Sequence, residues 1–459
     1  MNLKIQTTAL LLAIAPLAFA AETNRATPTK IVVKDFAKEP ISLADALDIA
    51  LQQNTSILKA KSDLEATQGI IMQTRAVALP KLGMNGNYTA RDPGSLETFP
   101  TTRPFPLPDQ SWSANIQLTQ SIYEGGRVKA ALRAAKLTKQ QSIANYDTVV
   151  ADTLLAVRVA YDDTLLAGEQ IAVQEASINL LTKELQDTRN RFEAGTVPKF
   201  NVLRAEVELA NARPRLIRAR NAFRISKNNL ANLLGYNLAR EVLQDVPMQL
   251  SGKLEAEPYQ IELPVAIGKA LERRTELIAL RKTEALQREN IINQQGGYKP
   301  SVQLVAGYGS RNSSFSDDLT RDVSGWFTGA QATWNIFDGG LTRGRVIEAE
   351  ARQERAKLDV DDASRRIELE VRTTYSNFIE SQEVMESQKK TVEQAEEALR
   401  LAEARFGAGT TTQTDVLSAQ TALTEARTTQ IQALHDYSVT RARLERAIGQ
   451  IIEVSHGSH

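Results

Sequence analysis

Few residues in this 459-residue chain could carry out chemistry on a substrate. Cysteine is absent, which removes disulfides, zinc–thiolate sites, thiol catalysis and a lipid held on an N-terminal cysteine. Three histidines are present, His435, His456 and His459, and two of them belong to the tail. They supply neither a His-Asp-Ser arrangement nor a metal-binding pair. Asp317-Asp318 and Asp361-Asp362 have the residue types of a paired-carboxylate hydrolase. The first pair lies in a polar stretch and the second on a charged helical face, where solvation accounts for them. Gly125-Gly126 and Gly339-Gly340 are not followed by the Lys-Ser/Thr of a phosphate loop. With 55 basic and 55 acidic residues there is no net field to draw nucleic acid. No catalytic residue, cofactor or metal is expected.

The elements around these residues are more informative. Lys4, the apolar run Ala9 to Ala18 and the Ala18-Phe19-Ala20 site read as a signal peptide over 1–20. Residues 21–40 are an N-terminal extension. No later stretch is long and apolar enough for a membrane helix.

The rest of the chain is a repeat. Arg191-Phe192-Glu193-Ala194-Gly195-Thr196 recurs as Arg405-Phe406-Gly407-Ala408-Gly409-Thr410, an offset of 214. Between Arg191–Gly235 and Arg405–Gly449, 15 of 45 positions are identical without a gap, which chance composition does not give. The same offset carries Tyr123-Glu124-Gly125-Gly126 onto Phe337-Asp338-Gly339-Gly340. Upstream the offset is 220, pairing Pro80 with Pro300 and Tyr88 with Tyr308. The six-residue change falls between Arg91 and Trp112, a proline-rich segment expected to be a loop.

Each half, 41–235 and 261–450, reads as helix, two strands, very long helix and return helix, with a linker over 236–260 and a tail over 451–459. Residues 127–194 and 341–408 lack proline, and 68 residues at the α-helical rise span about 100 Å. Val371, Phe378, Met385, Val392, Leu399 and Phe406 recur every seven residues; Val157, Ile171, Ile178, Leu185 and Phe192 do so in the first half, with Thr164 as the break. A strict heptad is a coiled-coil seam. Shorter helices are expected over 41–77, 199–234, 261–297 and 413–448, stacked in pairs beside the long ones, with a kink at Pro214.

Strands are expected over about 82–90, 113–123, 301–310 and 327–337. Leu82, Met84, Gly86 and Tyr88 alternate with Asn85, Asn87 and Thr89. This pattern fits a transmembrane barrel strand and also a soluble sheet with one wet face. Four strands cannot close around an axis, and an open edge cannot face lipid. A membrane-spanning reading therefore requires several copies to share one barrel. Gly125, Gly126, Gly339 and Gly340 sit at the strand-to-helix turns.

On the duplicated plan, the two Gly-Gly turns and the two Arg-Phe-x-Ala-Gly-Thr tips, the sequence resembles the TolC family of outer-membrane efflux proteins over about 41–450. The resemblance implies a mainly α fold with a small β part: a long α-helical coiled-coil barrel, and four strands per chain in a shared twelve-stranded transmembrane barrel of a homotrimer. It implies a passive duct across the outer membrane and periplasm of a Gram-negative cell, without a lipid anchor. Its partners would be outer-membrane lipid, a periplasmic membrane-fusion adaptor and an inner-membrane pump of the RND or ABC class, in efflux or type I secretion. Adaptor contact maps to Ala194, Gly195, Thr196, Ala408, Gly409 and Thr410. The periplasmic gate maps to Asp415; Ser418 stands in place of a second aspartate, Asn201 in place of an acid, and Thr411 in place of a basic partner. The gate expected here uses Asp415, Asn201 and hydrogen bonds, and favours cations. The competing reading is a soluble periplasmic coiled-coil scaffold or adaptor.

Overall fold

The computed structural model describes residues 40–92, 94, 109–236, 246–313 and 318–450. The signal peptide, most of the N-terminal extension, the proline-rich loop after Arg91, Asp317 and the tail lie outside them.

Two helices open the first repeat, α1 (Leu43–Gln53) and α2 (Thr55–Ala76). The sequence suggested one helix here. Asn54 divides it: its backbone is extended, and its side-chain oxygen accepts the Ser56 N–H at 2.8 Å, starting a new helix. Its amide donates to Leu233 O at 2.7 Å, tying the break to the return helix. α1 itself begins on a capping box between Ser42 and Asp45. Strands β1 (Lys81–Ala90) and β2 (Gln110–Glu124) follow, then α3 (Arg127–Glu193) and α4 (Lys199–Leu233). α4 runs through Pro214 without ending there.

The second repeat has the same order: α5 (Leu263–Arg273), α6 (Thr275–Gln295), β3 (Ser301–Asn312), β4 (Asp322–Thr333), α7 (Leu341–Gly407) and α8 (Gln413–Ala447). Arg274 interrupts the first helix where Asn54 does in the other half. β4 starts five residues and ends four residues earlier than its alternation suggested. Pairing with β3 sets its limits, from Asn312↔Asp322 to Ser301↔Thr333, so Trp334 and Ile336 fall beyond the strand. Trp334 instead donates its indole N–H to Tyr298 O at 3.1 Å.

The four strands form one antiparallel sheet in the order β1-β2-β3-β4. Register places Met84, Ile116, Tyr308 and Trp326 side by side, with Leu82 and Leu118 in the next row. Asn85 and Asn115 lie opposite each other on the other face. The apolar row is bare in the single chain, with Trp326 at 77% exposure.

Helix packing runs α2–α3–α6–α7 near the sheet and α4–α3–α8–α7 toward the far end. Two core clusters mark the middle of the bundle. One joins Leu47, Leu154, Val157, Tyr161 and Leu230; the other joins Leu277, Val371, Phe378, Tyr437 and Leu444. Thr164, the polar break in the heptad, is fully buried and donates its hydroxyl to Ala160 O at 2.7 Å. Residues 246–260 wrap this waist, with Ile41 bridged to Leu250 and Tyr437 donating to Glu257 O at 2.7 Å. No helix among the described residues is long and apolar enough to cross a membrane.

Candidate functional site: two helical tips and a strand-to-helix rim

The far ends of α3 and α7 close in the same way. Gly195 and Gly409 have φ of 76° and 72°, the left-handed region that glycine enters without a Cβ penalty. The Thr196 N–H reaches back to Arg191 O at 2.9 Å, and the Thr410 N–H reaches Arg405 O at 3.0 Å. Each threonine hydroxyl bonds the same carbonyl. These are glycine-terminated helix caps that consume the last carbonyls of the long helices. Ala194, Gly195, Thr196, Ala408, Gly409 and Thr410 are all exposed, so each tip offers a small-residue surface.

Beyond the second tip, Asp415 lies in the first turn of α8. Its Oδ2 accepts the Thr412 N–H at 2.9 Å, the Thr412 hydroxyl at 2.8 Å and the Thr411 hydroxyl. The Thr411 hydroxyl and the Thr412 groups hold its carboxyl at a pKa of about 2. Asp415 is thus a cap and a permanent exposed charge together. Ser418 is exposed one turn later. Asn201 lies in the first turn of α4, where its N–H donates to Pro198 O at 3.0 Å. Among the described residues no hydrogen bond joins Asn201 to Asp415 within one chain.

Other side chains lock the two hairpins together. The Arg191 guanidinium lies over the Phe406 ring, 4.5 Å from its centroid. Arg204 donates to Thr414 Oγ1 at 2.7 Å. Gln413 is buried and donates to Thr188 Oγ1 at 2.6 Å and Glu184 Oε1 at 3.2 Å. Burial raises the Glu184 carboxyl, against the lowering effect of the Gln413 and Thr188 donors. Sequence reasoning missed these contacts. Arg191 and Phe406 stood inside the repeated tip motif, and Gln413 is a polar residue at a buried position; those were the available signals.

At the opposite end Gly126 and Gly340 start α3 and α7 with φ of 96° and 90°. Gly125 has a tighter reason for its identity: a Cβ there would come 2.6 Å from Gly296 O. The Asp338 carboxylate accepts the Gly340 N–H at 3.0 Å and the Thr342 N–H at 2.9 Å.

Among the described residues no group of His, Cys, Asp or Glu could hold a metal ion. A sheet with one bare apolar face, carried on helices about 100 Å long, defines a class: an outer-membrane channel subunit of the efflux and secretion kind. The family described as Outer membrane efflux protein matches residues 46–236 and 266–450, and the chain belongs to it. Outer membrane protein TolC of Escherichia coli (strain K12) is 25% identical over 418 residues, covering 87% of this chain and 80% of the relative. Alkaline protease secretion protein AprF of Pseudomonas aeruginosa is 24% identical over 420 residues, covering 90% of this chain and 85% of the relative. In fold, the chain is similar to the Campylobacter jejuni CmeC outer membrane channel, with a TM-score of 0.77 at 16% identity, covering 90% of this chain and 86% of that one.

Proposed function

We propose that three copies of this chain form one passive duct across the outer membrane and periplasm. Each copy contributes four strands to a common barrel. One observation carries the reading: a four-stranded sheet has free edges at β1 and β4 and an apolar face of Leu82, Met84, Ile116, Tyr308 and Trp326 turned to the surface. Neither feature is stable in lipid until the edges are paired by neighbouring copies. The mature chain carries no lipid on cysteine, having none.

An inner-membrane pump, of the RND or ABC class, and a periplasmic adaptor supply energy and cargo. The adaptor docks on Ala194, Gly195 and Thr196 and on Ala408, Gly409 and Thr410, whose small side chains leave grooves for a helical hairpin. Three copies of Asp415 form a ring at the tip. Asn201, Thr411 and Ser418 stand near the same constriction, and the ring favours cations.

The test is a mass in detergent together with conductance in a planar bilayer. A trimer opening a cation-preferring pore is expected at neutral pH, where Asp415 is charged. Asp415→Asn keeps an acceptor for Thr411 and Thr412 while removing the charge. It should reduce cation preference and cation block, with only a small loss of stability because the cap keeps its hydrogen bonds and loses their charge assistance. A monomer that dissolves without detergent and opens no pore would overturn the duct. An unchanged Asp415→Asn pore would overturn the gate alone.

A further inference from the structure

The single chain is an open arc. Its sheet ends at β1 and β4, and the helical layer beside the sheet ends at α2 and α7. Within that helical layer the two repeats meet where α3 packs against α6. Gln141 Nε2 donates to Thr283 Oγ1 at 2.8 Å, and the hydroxyls of Thr148 and Thr275 are 2.6 Å apart. Arg133 donates to Glu289 at 2.8 Å.

The repeat turns this seam into a template for the one that must close the ring. Adding 214 carries α3 onto α7, both 67 residues long; subtracting 220 carries α6 onto α2, from Thr275 to Thr55. The pair Gln141 and Thr283 then becomes Arg355 and Asp63, an opposite-charge pair. Thr148 and Thr275 become Asp362 and Thr55, a carboxylate facing a hydroxyl donor. Among the described residues neither Asp63 nor Arg355 has an ion-pair partner within the chain.

The apolar residues fall into the same register. Ile347 and Ile70 are 55% and 54% exposed. They occupy the places of Arg133 and Asn290, and Arg133 pairs with Glu289, the neighbour of Asn290. Ala144 is covered in the internal layer, and its counterpart Leu358, at 58% exposure, is bare at the end of the arc.

We propose that a second copy of this chain docks its α2 on α7, with Asp63 of the second copy against Arg355. Ile70, one heptad along α2 from Asp63 and on the same face, then meets Ile347. The contact is head-to-tail, so the same two surfaces repeat around the ring. Opposite charge beside an apolar pair fixes register more than it adds affinity. This inference rests on the trimeric reading and gives its seam a residue-level register.

The absence of cysteine provides a clean background for the test. Full-length protein carrying Asp63→Cys and Arg355→Cys is treated in outer membranes with a short bis-maleimide and resolved by denaturing electrophoresis. Cross-linked dimers and trimers are expected from the double variant. Each single variant, and Glu65→Cys combined with Arg355→Cys, should stay as monomers, since Glu65 lies on the opposite side of α2 from Asp63. A second arm reverses the charges. Asp63→Arg and Arg355→Asp should each lower the trimer fraction in detergent, and the two together should restore it. A trimer by mass that shows no cross-link and no charge rescue overturns this seam and leaves the duct standing. A chain that is monomeric by mass overturns both.

Discussion

His435 Nε2 on α8 lies 2.7 Å from Asp163 Oδ1 on α3, and His435 Nδ1 lies 3.0 Å from Asp436 Oδ1. Burial pushes this imidazole down, but hydrogen bonds to Asp163 and then Asp436 outweigh it, and the net pKa is raised. The charged ring donates at both nitrogens; the neutral ring can donate at only one. Its stabilisation is therefore complete below its ordinary pKa of about 6.5 and is lost as pH rises through the raised value. Asp162, one residue along, takes the Ser438 hydroxyl at 2.6 Å, and burial raises its carboxyl. It works in the same direction. Arg158–Glu445 and Arg446–Asp152 flank the junction on the same two helices. Amide protection factors, which divide out the intrinsic base-catalysed exchange rate, should fall around 160–164 and 435–438 from about pH 6 to pH 8. His435→Gln should flatten that profile, and a wild-type profile without slope would refute it.

Arg274 is nearly buried where α5 gives way to α6. It donates to both Glu370 oxygens at 3.0 Å, to Glu276, and to Ala447 O at 3.3 Å. Arg274→Ala strands these acceptors and should cost about 2–3 kcal/mol, because Glu370 is half-exposed and recovers some water. Arg274→Lys should restore little, having no fork for a bidentate carboxylate. The melting of the helical circular-dichroism signal measures both.

Phe378 fills the waist, 5.8 Å from the Tyr259 ring and 5.4 Å from the Tyr437 ring between centroids. It is 2% exposed. Phe378→Ala should cost about 3–5 kcal/mol through lost burial and an unfilled cavity. The melting temperature should fall, with the secondary structure unchanged at low temperature.

Gly235 and Gly195 separate two costs of a glycine substitution. Both have φ near 75°. A Cβ on Gly195 meets nothing within 4 Å, whereas one on Gly235 would lie 2.5 Å from Gln53 O. Gly195→Ala should cost about 1 kcal/mol, the conformational part alone. Gly235→Ala should exceed about 3 kcal/mol, since backbone must move. Equal melting temperatures for the two variants would show that the contact at Gln53 relaxes freely.

Most of the architecture was legible because its signals are local and doubled. The heptad Val371 to Phe406, the alternation Leu82 to Tyr88 and the tip motif around Gly195 each appear in both halves. What escaped depends on segments far apart in sequence. The Asn54 and Arg274 breaks are held by Leu233 and Ala447 on the return helices, beyond the reach of a helix-propensity reading. The end of β4 is set by its partner Ser301. At the tip, Asp415 could be placed from the helix start, but Arg191 over Phe406 and Gln413 against Thr188 join different hairpins. No spacing rule relates such positions.

The equal span of α3 and α7, 67 residues each, has a consequence for how this molecule can change size. One residue added to either would turn everything beyond it by about 100° and lift it by about 1.5 Å. Leucines and valines would then rotate out of their sockets along the rest of the shaft. Two full turns, seven residues, bring the facing side nearly back. The two shafts also flank the same short segments, so lengthening one alone would set the tips at different depths. A longer or shorter version of this conduit is reachable only by matched edits in both halves, in multiples of seven.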